Sequence, residues 1–61
     1  MGYVVSATRG LTAMTSSART AVQVIEWIRS RRAVGADHFR VVDRENHNVT
    51  EFQLGVIADL E

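Results

Sequence analysis

The sequence predicts a small α+β domain with the element order ββαβα, in which one long helix packs on a two- or three-stranded sheet and a short helix follows. Two observations support this fold class. A central segment has apolar residues at helical spacing, and runs rich in β-branched and aromatic residues lie on both sides of it. At 61 residues, the chain is expected to form one domain, residues 1–61.

The first element is a strand over residues 2–7, which contains a Tyr-Val-Val run of the kind enriched in strands. Residues 8–10, Thr-Arg-Gly, follow as a turn in which Gly10 is free to adopt a positive φ. The next segment then either returns beside this strand or leads into the helix.

Residues 11–15 fit both of those interpretations. As a second strand they place Leu11 and Ala13 on one face and form a hairpin. As helix they would instead extend the apolar stripe of the long helix toward the N-terminus. Three consecutive hydroxyl residues that end at Ser17 favour a helix cap over a helix interior. We therefore expect the hairpin, with the helix starting at Ser16 or Ser17.

The long helix is predicted to run from Ser17 to Val34. At 100° per residue its apolar side chains form a stripe about 160° wide, which suits a helix laid across a sheet. Gly35 stands where a left-handed residue commonly ends a helix, and arginines crowd the last two turns, where the helix dipole favours positive charge. The stripe comprises Ala18, Ala21, Val22, Val24, Ile25 and Ile28.

A third strand is predicted over residues 38–43. Its alternation places Phe39 and Val41 toward the helix, and His38 and Arg40 away from it. A sheet of this size leaves edge strands open, and edge pairing across a two-fold axis is one route to a homodimer.

The last segment, residues 49–60, is predicted to be a helix, with an alternating strand as the other interpretation. Thr50 and Gln53 have the spacing of a capping box, and Val49 and Leu54 have that of a hydrophobic staple. One side of this helix is expected to comprise Phe52, Leu54, Val56, Ile57 and Leu60, and the other Glu51, Gly55, Ala58 and Asp59.

Composition limits the possible functions. The net charge is zero, from seven basic and seven acidic residues, which is unlike a uniformly basic nucleic-acid binder. The chain has no cysteine and only two histidines, so disulfides and structural zinc sites are not expected. Self-association is then the remaining way to stabilise so small a domain, and we expect a homodimer.

No apolar run approaches the ~18 residues that span a membrane, and no signal-peptide pattern is visible. Together with the absence of cysteine, this pattern predicts a cytoplasmic protein with no membrane partner. The final Leu60-Glu61 pair matches a common cloning scar before an affinity tag, so both residues are candidates for non-native ones.

The loop after the third strand places Asp43, Glu45 and His47 at alternate positions, as in calcium-binding loops. An EF-hand needs glycine at the sixth position and glutamate at the twelfth, where this chain has Asn48 and Leu54. We therefore expect a solvated polar turn, with no metal site and no cofactor.

Two histidines, His38 and His47, are candidate proton donors or acceptors near neutral pH. Neither lies near a serine or cysteine in a nucleophile-elbow context. A catalytic site also needs a rigid surrounding shell, which a chain of this length hardly provides. We expect no catalytic residues and no enzymatic activity.

One candidate interaction surface lies on the long helix and comprises Trp27, Arg29, Arg31 and Arg32. Trp27 and Arg31 lie one turn apart, which is the minimal surface for stacking a nucleobase and contacting phosphate. A cation–π contact, or Trp27 in a dimer interface, explains the same residues without a ligand. Arg29 and Arg32 project onto the apolar stripe, so their heads are expected to reach solvent or acids on the second helix.

A helix that ends near Gly35, a Phe-x-Val-Val-Asp strand at residues 39–43, a polar turn and a capped terminal helix follow one another. This order resembles small bacterial α+β proteins of unknown function over Ala18 to Leu60. The resemblance is a pattern rather than a motif. It implies the fold class and implies no activity and no site residues.

The sequence favours a non-enzymatic protein–protein interaction or regulatory module that self-associates and binds another, unidentified protein. The expected apolar anchors are Tyr3, Trp27, Phe39 and Phe52, with the helix arginines as an adjoining charged rim. The alternative is weak nucleic-acid binding through the arginine-rich end of the long helix.

Overall fold

The computed structural model describes residues 2–61, so Met1 lies outside the described residues, and it confirms the order ββαβα. Three strands form one antiparallel sheet in the order β2-β1-β3. The elements are β1 (Tyr3–Arg9), β2 (Thr12–Ala18), α1 (Ala21–Ala33), β3 (Asp37–Asp43) and α2 (Glu51–Leu60).

A two-residue loop, Gly10 and Leu11, joins β1 to β2. Gly10 has a φ of 61° while Leu11 does not have a positive φ, as in a type II′ turn, whose twist matches that of the flanking strands. The predicted turn is therefore confirmed at Gly10 and wrong at Thr8 and Arg9, because β1 continues to Arg9. Leu11, predicted as a strand residue, is fully exposed at the tip of the hairpin.

The start of α1 also differs from the prediction. Ser16 and Ser17 belong to β2, which pairs along the whole of β1, so a helix starting there is wrong. Ala18, predicted on the helical stripe, is the last residue of β2. Thr20 is the N-cap, and its hydroxyl accepts a hydrogen bond of 3.2 Å from the Gln23 N–H. Pairing with a seven-residue strand outweighs the local preference of serine for helix caps.

The end of α1 confirms the role predicted for Gly35. Its φ is 94°, and its N–H donates to the Arg32 carbonyl at 3.1 Å while the Ala36 N–H donates to the Arg31 carbonyl at 3.0 Å. These two bonds form a Schellman motif, which satisfies the free carbonyls at the end of the helix. The last helical residue is Ala33, one before the predicted end.

The third strand pairs with the other side of β1, and its register shifts between Ser6 and Thr8. Opposite this shift His38 has a φ of 52°, which is uncommon for a residue other than glycine and is consistent with a β-bulge. Phe39 is half-buried and Val41 is buried, so both face the core as predicted.

The predicted capping box at the start of α2 is confirmed. The Thr50 hydroxyl accepts a hydrogen bond from the Gln53 N–H at 3.1 Å, and the Gln53 side chain accepts one from the Thr50 N–H at 3.0 Å. Val49 is half-buried against the core and Leu54 is fully buried, as in a hydrophobic staple.

The predicted apolar side of α2 is only partly correct. Leu54 is fully buried, and Ile57 and Ala58 are half-buried against the core, although Ala58 was assigned to the polar side. Apolar residues lie all around this helix, so periodicity alone does not determine which side meets α1. The side chains that were predicted to be inward but are exposed are Phe52, Val56 and Leu60.

The core lies between one face of the sheet and the helices. Alternation along β1 places Tyr3, Val5 and Ala7 on this face and leaves Val4 exposed on the other. The buried apolar residues are Tyr3, Val5, Ala7, Ala21, Val24, Ile28, Ala36, Val41 and Leu54. Most of these side chains are small, so the core that the chain builds alone is small as well.

Candidate interaction surface

The predicted pair of Trp27 and Arg31 forms a cation–π contact within the chain. The central carbon of the Arg31 guanidinium lies 5.5 Å from the centre of the Trp27 ring. Trp27 is half-buried and packs against the core. A nucleobase that stacks on this face of the ring must first displace Arg31, so the pair is not a preformed stacking platform.

Arg32 contacts the second helix, as its predicted position suggested. Its Nη2 lies 2.7 Å from the Glu51 Oε1, and its guanidinium lies 5.0 Å from the centre of the Phe39 ring. Both charged side chains are more than half exposed, so the ion pair contributes at most about 1 kcal/mol. Arg29 is exposed. Two of the three helix arginines are thus engaged within the chain.

The loop carboxylate of Asp43 closes its own turn. It accepts hydrogen bonds from the His47 N–H at 2.8 Å and from the Glu45 N–H at 2.9 Å. The bond from His47 is the largest cause that holds the pKa of Asp43 below its ordinary value of 3.8, and the bond from Glu45 acts in the same direction. Within residues 2–61, no three acidic or histidine side chains gather into a cluster able to hold a metal ion.

His38 lies near the start of β3 and His47 lies in the loop that follows this strand. The His38 Nε2 is 3.8 Å from the Asp37 Oδ1, and the His47 Nδ1 is 3.6 Å from the Asp43 Oδ2. Both histidine side chains are mostly exposed. The structure therefore does not bring the two candidate proton carriers together.

No protein-family model, curated protein or solved structure matches this chain. In the described part of the chain, no helix is both long enough and apolar enough to cross a membrane.

The two edges of the sheet differ in how well they are covered. Along the outer edge of β3, Val42 forms a bridge with Asn48, and the Val49 N–H donates to the Val41 carbonyl at 2.8 Å. β2 pairs with β1 on one side, and in the described residues no segment pairs with its other side. β2 is therefore the edge that stays unpaired along its whole length, and we call it the free edge.

The free edge carries none of the usual devices that prevent pairing. Its sequence, Thr-Ala-Met-Thr-Ser-Ser-Ala, contains no charge and no proline, whereas exposed edges are commonly protected by both. In a two-residue hairpin the residues next to the loop hydrogen-bond each other, so Ala13, Thr15 and Ser17 direct their backbone groups outward. The sequence predicted open sheet edges but not which strand would be free, although the lack of charge over residues 12–18 was the available signal.

The four predicted aromatic anchors lie in different environments. Tyr3 is 7% exposed and belongs to the core, so its assignment as a surface anchor is wrong. Trp27 and Phe39 are half-buried. Phe52 is 81% exposed and begins a stripe with Val56 and Leu60, at the spacing that places residues on one side of a helix. We call these last three residues the α2 stripe.

Proposed function

We propose that the protein is a non-enzymatic interaction module that works in the cytoplasm as a homodimer and binds a second protein. The observation that carries this proposal is the free, uncharged edge of β2. An unprotected edge of this kind is a template for pairing with another chain. The absence of cysteine fits a reducing compartment.

The size of the domain supports the same proposal. For chains of this length, the free energy gained by burying apolar surface is nearly cancelled by the lost conformational entropy. This chain has neither disulfides nor cysteine ligands, and its core consists mostly of small side chains. Association with a second copy supplies the additional burial that such a domain lacks.

The α2 stripe supports the binding of a further protein. Phe52 and Leu60 are more than four-fifths exposed, and Val56 lies between them with about half of its surface exposed. Apolar residues grouped on one side of a surface helix are typical of protein interaction sites. The second protein is therefore expected to present an apolar surface that covers the α2 stripe.

The alternative, weak nucleic-acid binding through the arginines of α1, has less support. Arg31 covers the Trp27 ring and Arg32 pairs with Glu51, and the net charge is zero. Titration of Trp27 fluorescence with single-stranded and duplex DNA and RNA at low salt tests it. We expect no change, whereas saturable quenching that weakens with added salt would favour the alternative.

The proposed dimer is tested by the mass of the wild-type chain in solution. Light scattering from micromolar to millimolar concentration is expected to show the mass rising from 6.8 kDa toward twice that value. A protein of similar size that is known to stay monomeric serves as the control for non-ideal behaviour. A mass that remains at 6.8 kDa throughout this range contradicts the proposal.

A further inference from the structure

We infer that two copies of this chain pair through β2 in an antiparallel register about a two-fold axis at Thr15. Trp27 of each copy then packs over the junction between the two β2 strands. The inference rests on the proposed self-association and names the surface that carries it. Its partner is a second copy of the same chain, because the free edge is complementary to itself.

Self-complementarity follows from the side chains of β2. A two-fold axis brings the same region of both copies together, so a charged side chain close to the axis meets its own charge. β2 has no charged residue, whereas β3 has Asp37, Arg40 and Asp43. With the axis at Thr15, that residue faces its own copy and Ala13 faces Ser17. Cross-strand threonine pairs of this kind stabilise sheets.

Backbone groups at the edge fit this register. Ala13, Thr15 and Ser17 direct their N–H and C=O groups outward, and pairing them across the axis forms roughly six hydrogen bonds. The product is one continuous sheet of six strands. Because the axis is perpendicular to the sheet, the helices of both copies cover the same face.

Trp27 lies on the flank of α1 that faces away from α2. The other flank carries Arg32, which pairs with Glu51 of α2. At 100° per residue, Trp27 is about 140° around the helix from Arg32.

That flank extends toward the free edge. α2 follows a segment in which Val49 is bonded to Val41, so α2 lies toward the β3 side of the sheet and the opposite flank of α1 lies toward β2. On the helix-covered face of β2, Met14 and Ser16 are half-buried, as Trp27 is. In the proposed dimer, Met14 of each copy faces Ser16 of the other copy beneath Trp27, and these partly exposed side chains become covered, which is typical of an interface centre.

Cysteine cross-linking tests the register directly, because the chain has no native cysteine. In the proposed dimer, Thr15→Cys places two cysteines with Cα atoms about 5.5 Å apart, which is within the range of a disulfide. Ala13→Cys is the matched control on the same strand. Its two copies lie about 14 Å apart, which is too far for a bond.

We expect Thr15→Cys to form a covalent dimer under mild oxidation and Ala13→Cys to stay reduced. The double variant Ala13→Cys with Ser17→Cys is expected to cross-link, because these positions face each other across the axis. Each variant is checked for wild-type circular dichroism under reducing conditions. A wild-type dimer in which both Ala13→Cys and Thr15→Cys form bonds equally well overturns the register.

Val56→Cys reports on pairing through the α2 stripe instead. If the wild type dimerises and only Val56→Cys cross-links, the inference about β2 is wrong while the proposed self-association stands. If the wild type is a monomer and no variant cross-links, both fail. Trp27 emission gives an independent readout, since we expect it to shift to shorter wavelength as concentration rises and the ring is covered.

Discussion

The carboxylate of Glu61 caps the start of α1, to which Ala21 belongs 40 residues earlier in the chain. Its Oε2 accepts a hydrogen bond of 2.9 Å from the Ala21 N–H, and its Oε1 accepts one of 3.1 Å from the Val22 N–H. The first turn of α1 contains no acidic residue of its own, so Glu61 supplies the negative charge that the helix dipole favours there. That Leu60 and Glu61 derive from cloning stays a prediction.

Replacing Glu61 is expected to destabilise the domain. Glu61→Ala leaves two N–H groups of α1 without this acceptor, and we expect the free energy of unfolding to fall by about 1 kcal/mol. Urea denaturation followed by circular dichroism measures this change. The control is Asp59→Ala, which removes an exposed acid from the last turn of α2. An equal loss in both variants contradicts the capping role.

Asp43 is expected to make stability depend on pH in the acid range. Its pKa in the folded chain lies below the ordinary value of 3.8, so its stabilising effect is complete above that value and is lost as pH falls through the lowered pKa. Asp43→Asn keeps an acceptor oxygen but does not titrate. The free energy of unfolding of both proteins is measured in urea at pH 5 and at about pH 2. We expect the wild type to lose more stability than Asp43→Asn at the lower pH. A difference that does not change with pH contradicts this role.

Elements with local chemical signals were predictable from the sequence. Gly35 has no side chain to oppose a left-handed conformation, and the Thr50–Gln53 pair is complete within four residues. The start of α1 was not predictable in the same way, because Ser16 and Ser17 are acceptable both at a cap and in a strand. Their place in β2 is decided by pairing with β1, a non-local interaction.

Gly55 is expected to be replaceable by alanine with a gain in stability. A Cβ at this position meets no atom within 4 Å, and Gly55 does not have a positive φ. Since glycine costs a helix interior about 1 kcal/mol relative to alanine, Gly55→Ala should raise the free energy of unfolding by up to that amount. Thermal unfolding measures the effect.

Gly10→Ala is the matched comparison for this substitution. A Cβ at Gly10 also meets open space, but the φ of 61° is strained for alanine. We therefore expect a loss of about 1 kcal/mol. Stabilisation by both substitutions would show that the type II′ turn is not needed to form the hairpin.

Leu54 is expected to be the most sensitive position of α2. It is among the largest fully buried side chains, so Leu54→Ala should cost about 2–5 kcal/mol, which is a large part of the total stability of so small a domain. Phe52→Ala removes a larger side chain that is 81% exposed, and we expect it to change the stability of the monomer by less than about 0.5 kcal/mol. Urea denaturation at low protein concentration compares them, and equal losses contradict the observed orientation of α2.

The candidate interaction surface was only partly predictable from the sequence. The cation–π contact of Trp27 with Arg31 and the reach of Arg32 to the second helix follow from helical spacing, and the structure has both. The free edge depends instead on the strand order, in which β1 is central. No local pattern determines that order, because it depends on the path of α1 from β2 across the sheet to β3.

Amide hydrogen exchange of β2 tests the central claim most directly. The outward N–H groups of Ala13, Thr15 and Ser17 are expected to exchange rapidly in the monomer and to become protected as protein concentration rises, because they then donate to the second copy. The amide of Arg44, in the exposed loop after β3, serves as the internal reference and should not change. Exchange at Ala13, Thr15 and Ser17 that stays as fast at high concentration as at low would contradict pairing through β2.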